Sequence, residues 1–298
     1  MYNKIYYVFI VFMSFISAGV SYAADDVVKK LSVFVSIQPQ AYFVERIGGD
    51  RVLTEVLVPP GKSPAIYALS PMQMSRLSNA KILFGIGVPF ENHLIPKIKH
   101  NTDFTIVDTR KGIRLRKMAG HHHGGGHHHD AEELGGKDPH IWLNPAMVNK
   151  QAKTICEALT DVDPPGKQEY SDNLNAFIED LEKLDERIRT LLLPVKGRAF
   201  FVFHPSFGYF ADAYNLEQVA VEMEGKMPRG KDLTALIKKA RERKVRVIFV
   251  QPQFDRTTVL KIARAIDGEV LPLDPLAYDY INNLESMADN IFHALNGQ

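Results

Sequence analysis

The 298-residue chain has one cysteine, one tryptophan and a formal charge of only +1. A single thiol, Cys156, excludes an intramolecular disulfide, and its apolar surroundings in "AKTICEAL" point to a buried, inert thiol. No cysteine stands directly after the N-terminal apolar segment, so a lipid anchor on such a residue is not expected. The near-zero charge gives no electrostatic reason to expect nucleic acid or an anionic membrane as partner. No P-loop and no nucleophile motif occurs. The longest apolar run, Ile5–Ile16, is shorter than the ~20 residues of a spanning helix.

That run instead reads as the core of a secretory signal peptide over residues 1–23, with Lys4 ahead of it and Ser21-Tyr22-Ala23 offering small residues for cleavage. The expected mature protein begins near Ala24 and is soluble, periplasmic and monomeric.

The remainder alternates strand and helix patterns. "LSVFVSI", "VLTEVLV", "KILFGIG" and "FTIVDT" read as strands separated by helical stretches, and "RAFFVF", "LEQVAV", "VRVIFV" and "EVLPL" repeat the pattern. Ser70 and Pro71 form a helix start, as cap and first position. Between the two halves, Tyr170, Leu174, Phe177, Ile178, Leu181, Leu184, Ile188 and Leu191 recur at helical spacing with no Gly or Pro from Lys167 to Leu193. The expected fold is α/β: an N-terminal lobe over 24–163, a bridging helix over 164–194 and a C-terminal lobe over 195–298, each lobe with a mainly parallel sheet. Residues 116–138, rich in Gly, His and acids, read as a mobile loop inserted in the first lobe.

Ligands in open α/β sheets sit at the carboxyl ends of strands. His204 ends "RAFFVF", Asp274 ends "EVLPLDP", and His140 in "DPHIWLNP" precedes a helix. Each adjoins a proline, which stiffens the backbone around a donor. Two imidazoles and a carboxylate suit Zn²⁺, although a strand-end histidine is more often a hydrogen-bonded structural residue. The other His cluster, "HHHGGGHHHD", places His121, His122, His123, His127, His128 and His129 in the loop, where they read as an accessory zinc-collecting segment. Glu222 and Glu224 are candidates to support a ligand, but the plainer reading is solvated loop acids. His93, His100 and His293 read as helix-surface residues, Tyr67 as a packing or hydrogen-bonding side chain, and Trp142 as part of a cleft wall.

"VLVPPGKSP" up to Pro64, "KILFGIG" with Glu91, the His-rich insertion, "DPHIWLNP", "FVFHPSFGYFADAYNL", "IFVQPQFD" and "LDPLAYDY" together resemble the zinc/manganese-type substrate-binding proteins of ABC transporters, nearest to the periplasmic zinc binders of high-affinity uptake systems. The resemblance spans nearly the whole mature chain. It implies two α/β lobes on a long rigid helix, with the metal in the cleft held by His140, His204 and Asp274. It implies Zn²⁺ as cargo, with Mn²⁺ as the lesser alternative, and an ABC permease in the inner membrane as partner. The chain departs from the family pattern at Ala65, where a ligand histidine is expected directly after "SP". Three outcomes follow: water completes the zinc site, a loop histidine replaces the missing imidazole, or the site is degenerate. The leading expectation is a zinc-binding transport protein and not an enzyme. The rivals are a zinc-dependent hydrolase using an open coordination position and a metal-storing protein.

Overall fold

A computed structural model describes residues 30–99, 104–118, 136–222 and 228–297. The expectations for the signal peptide, the six loop histidines, His100 and Glu224 lie outside these residues.

Four strands form the first sheet: β1 (Leu31–Val35), β2 (Val52–Val56), β3 (Ile82–Gly85) and β4 (Thr105–Asp108), all parallel, in the order β2-β1-β3-β4. Val33, Phe34 and Val35 are all buried, as expected of a parallel strand covered on both faces. The covering helices are α1 (Gln38–Gly48), α2 (Pro71–Leu77), α3 (Glu91–Ile98) and α4 (Pro145–Val162). At α2 the Ser70 hydroxyl accepts from the Gln73 N–H at 3.2 Å, and the Gln73 side chain accepts from the Ser70 N–H at 3.0 Å. This reciprocal capping box explains why the helix starts where the sequence indicates.

The second sheet repeats the topology with β5 (Ala199–Val202), β6 (Glu217–Ala220), β7 (Val247–Val250) and β8 (Glu269–Pro272), parallel, in the order β6-β5-β7-β8. Alternation along β5 divides its side chains. Phe200 and Val202 join the main core, whereas Phe201 packs in a second cluster with Val259 and Ile262 of α8 (Arg256–Ala265) and Ala240 of α7 (Gly230–Glu242). On the opposite face lie α6 (Gly208–Tyr214) and α9 (Tyr280–Asn296).

The 26-residue α5 (Lys167–Leu192) joins the halves. At 1.5 Å per residue it is about 39 Å long. Its apolar stripe buries Tyr170, Phe177, Leu181, Leu184, Ile188 and Leu192. Phe177 packs on Tyr42 and Phe43 of α1, while Asp185 accepts from the Tyr214 hydroxyl of α6 and Arg187 pairs with Glu285 of α9. The helix is thereby fixed to both lobes. One continuous core runs from β1 through α5 to α9. No helix among the described residues is long and apolar enough to cross a membrane.

Candidate metal centre

In a parallel sheet ordered 2-1-3-4, chain connections leave in opposite directions from the first and third strands, which opens a crevice at their carboxyl ends. In the second lobe that crevice falls between β5 and β7. His204 follows β5, and Gln251 follows β7. The two are locked together: the His204 N–H donates to Gln251 Oε1 at 3.2 Å, and Gln251 Nε2 donates to the His204 carbonyl at 2.7 Å. The same amide donates to the Ser206 hydroxyl at 3.0 Å. A fully buried glutamine thus fixes the backbone that carries the imidazole.

The side chain of His204 is fixed from the other direction. Its Nδ1 lies 2.6 Å from Glu222 Oε1, and Glu222 is only 5 % exposed. Glu222 follows β6, the strand beside β5, and its N–H donates to the Phe203 carbonyl at 3.1 Å. This corrects the solvated-acid reading of Glu222. Strand pairing buries the carboxylate under the imidazole 18 residues away.

His140 is held in the same manner from the first lobe. Asp138 Oδ1 accepts from the His140 N–H at 3.0 Å and lies 2.7 Å from its Nδ1. Asp138 is 1 % exposed. Its own N–H donates to the Arg116 carbonyl at 2.9 Å, and its carbonyl accepts from the Tyr209 hydroxyl of α6 at 2.9 Å. Sequence reasoning missed Asp138. The available signal was Asp-Pro-His, a spacing at which one carboxylate oxygen reaches both the backbone N–H and the ring Nδ1 of the histidine.

An ionised carboxylate can only accept, so Nδ1 of each ring carries a hydrogen, and in the neutral ring it is Nε2 that has the free lone pair. Carboxylate-backed imidazoles of this kind are the usual form of metal-ligating histidine. Burial pushes the His140 imidazole below its ordinary value, against an opposing pull from Asp138. The neutral, metal-competent form is therefore favoured. The two ring centres stand 5.3 Å apart with their planes at 70°. Two imidazoles sharing a tetrahedral zinc at about 2.0–2.1 Å require ring centres about 5 Å apart. The separation fits.

Both imidazoles line one cavity of about 330 Å³, together with Ala65. Trp142 forms part of its wall and is 1 % exposed, and its Nε1 donates across the lobes to the Pro275 carbonyl at 2.7 Å. Tyr67 stays out of the site: its hydroxyl donates to Gln73 at 2.9 Å and its ring packs on Phe90. His93 and His293 are exposed. Cys156 is buried, and that burial pushes its thiol up.

Asp274 is placed differently. It lines a neighbouring cavity of about 100 Å³ with Lys62 and Tyr278, and shares Gln253 and Leu276 with the larger one. Its Oδ1 accepts from the Leu276 N–H at 2.9 Å and from Gln253 Nε2 at 3.1 Å. The first of these is the local turn that Asp-Pro sequences favour. The structure therefore brings His140 and His204 together and leaves the carboxylate of Asp274 engaged beside them. Among the described residues there is no group of three or more His, Cys, Asp or Glu placed to hold a metal.

Comparison with known proteins bears on this arrangement. Residues 33–294 match the family model described as zinc-uptake complex component A, periplasmic. The high-affinity zinc uptake system protein ZnuA of Yersinia pestis is 28 % identical, over 89 % of this chain and 91 % of that protein. A crystal structure of ZnuA superposes with a TM-score of 0.82 at 38 % identity, over 89 % of this chain and 99 % of that one. A ZnuA deletion mutant solved with zinc bound gives the same TM-score and identity, over 90 % and 98 %.

Proposed function

The chain belongs to the family of periplasmic zinc-uptake complex component A, and from that premise we propose that it captures Zn²⁺ in the periplasm and delivers it to an ABC-type permease in the inner membrane. The observation that carries the proposal is the pair of carboxylate-backed imidazoles, His140 and His204, 5.3 Å apart in one cavity. Their Nε2 atoms are the first two zinc donors. Asp274 is the third, exchanging its hydrogen bond from Gln253 for the metal. Imidazole pairs favour Zn²⁺ over Mn²⁺, which prefers oxygen.

The two carboxylates bonded to the imidazoles are both committed to orienting rings, so neither is free to act as a general base. This supports binding over hydrolysis. In the same proposal residues 1–23 are the cleaved export signal, 24–163 and 195–298 are the lobes around the bridging segment 164–194, and the protein acts as a monomer. Histidines 121–123 and 127–129 form an accessory zinc-collecting segment. Metal content after purification and a zinc titration of wild type and His204→Ala test the reading. Wild type is expected to hold one tight zinc that the variant lacks, and equal tight binding by the variant refutes the assignment.

A further inference from the structure

We propose that the cargo enters the site as zinc carrying a small amino-acid-type chelator, whose amine and carboxylate complete the metal's coordination. The inference rests on the zinc-binding reading above and names the form of the substrate.

Zinc takes four donors in a tetrahedral site. The cavity wall supplies two imidazoles, and the side that Ala65 forms has only a methyl group. Bare zinc draws in Asp274 as third donor, whereas in the chelated form Asp274 keeps its bonds from Leu276 and Gln253 and leaves two positions to the chelator. A water molecule occupies about 30 Å³ of liquid, whereas small-molecule pockets begin near 300 Å³. At about 330 Å³ the cavity has the size of the second class.

Its surfaces fit an organic ligand better than a pool of water. Val88, Trp142, Phe254 and Leu276 present apolar wall, and apolar walls hold water poorly. Between them Ser63, Asn92, Ser206 and Gln253 offer groups that can hydrogen-bond the polar end of a ligand. Gln251 is consumed in holding His204. Lys137 lines the cavity, is exposed, and makes no ion pair with the described residues. Its ammonium complements a carboxylate, which a bare divalent cation would not require. A ligand chelating through amine and carboxylate therefore matches three features at once: the missing donors on zinc, the lysine, and the apolar volume for its own side chain.

Free L-histidine is the probe. The full chain is loaded with Zn²⁺ alone, or with Zn²⁺ and L-histidine, and the bound species are weighed by native mass spectrometry beside a competition titration. The expected result is a protein–zinc–histidine adduct that the His140→Ala/His204→Ala double variant does not form. Apparent zinc affinity should be about ten-fold tighter with the amino acid than without it. Ala65→His, which supplies a donor from the protein, should erase that gain. A protein–zinc adduct alone, with histidine weakening zinc binding as a plain competitor, overturns the proposal and leaves the zinc reading standing. Failure of wild type to retain zinc under either condition overturns the zinc reading itself.

Discussion

The two lobes share one sheet topology but use it differently. In the second lobe the crevice between the first and third strands carries the proposed donor itself: His204 follows β5 and is locked to Gln251 after β7. In the first lobe the equivalent crevice is structural. Glu91 turns inward after β3, and its carboxylate accepts from the Ile86 and Gly87 N–H groups at 3.0 and 2.8 Å. The first lobe's proposed donor, His140, comes from outside the sheet, from the turn just before α4. A fold can thus supply one half of a site from its topology and the other half from an appended segment. The appended half needs its own fixing, and here Asp138 and the Trp142–Pro275 bond provide it.

A second contrast lies within the C-terminal lobe and the insertion stem. Asp138-Pro139-His140 and Asp274-Pro275-Leu276 make the same turn, with the aspartate Oδ1 accepting from the N–H two residues on at 3.0 and 2.9 Å. One turn presents an imidazole to the cavity and the other a leucine. The carboxylate of the first orients the His140 ring, whereas that of the second is held by Gln253.

If the two lobes contribute equally, His140→Ala and His204→Ala should each weaken zinc binding by more than about 100-fold, beyond the loss typical of an outer partner. A competition titration checks this, and a large loss in only one variant would make the site belong to one lobe. Next in size, Asp138→Asn and Glu222→Gln should each cost roughly 10–100-fold in zinc affinity, with thermal stability changed far less. Loss of affinity in one but not the other would break the symmetry of the carboxylate-backed pair.

The ends of α5 permit a smaller comparison. Toward the first lobe, Asp163 accepts from Arg51 at 2.8 and 3.0 Å and from the Tyr170 hydroxyl at 2.6 Å. Toward the second, Asp185 accepts from Arg189 and the Tyr214 hydroxyl, both at 2.9 Å. Arg51 ties distant segments through two bonds to a carboxylate, whereas Arg189 lies one turn from Asp185 on the same helix and reaches another segment only through the Ala213 carbonyl, at 3.2 Å. Asp163→Asn is expected to cost about 1–2 kcal/mol, allowing for partial exposure. The Arg189→Ala change should cost under about 1 kcal/mol. The Arg51 guanidinium holds the Asp163 carboxyl below its ordinary value. Its contribution is therefore present above the unfolded carboxylate range, near pH 4, and is lost as pH falls through the lower folded value. Urea melts from pH 7 to pH 3 should show the wild type converging on Asp163→Asn in acid. Smallest of all, His93→Ala and His293→Ala should leave zinc affinity unchanged, since both residues are exposed and neither lines the cavity.

Much of this was legible in the sequence because the controlling patterns are local. Apolar runs gave the strands, three- and four-residue spacing gave α5, and Ser70-Pro71 gave the start of α2. His204 stood out through its strand end, and both His140 and His204 through their adjoining prolines. What was not legible depends on pairing across the fold. Glu222 resembles any loop acid until β6 is laid beside β5. Asp138 reads as a turn residue until the ring two positions on folds back over it. Asp274 was placed correctly at a strand end, but the amide of Gln253 that engages it comes from a different strand connection. The family match then extends over residues 33–294, nearly the whole of what the motifs indicated.

The central claim is that His140 and His204 hold one shared zinc ion. A double-mutant cycle on the tight zinc-binding phase tests it most directly. The account predicts that His140→Ala, His204→Ala and the double variant bind equally poorly, because either substitution already removes the shared ion. Retention of one tight zinc by each single variant, lost only in the double variant, would contradict it, since each imidazole would then serve a separate site.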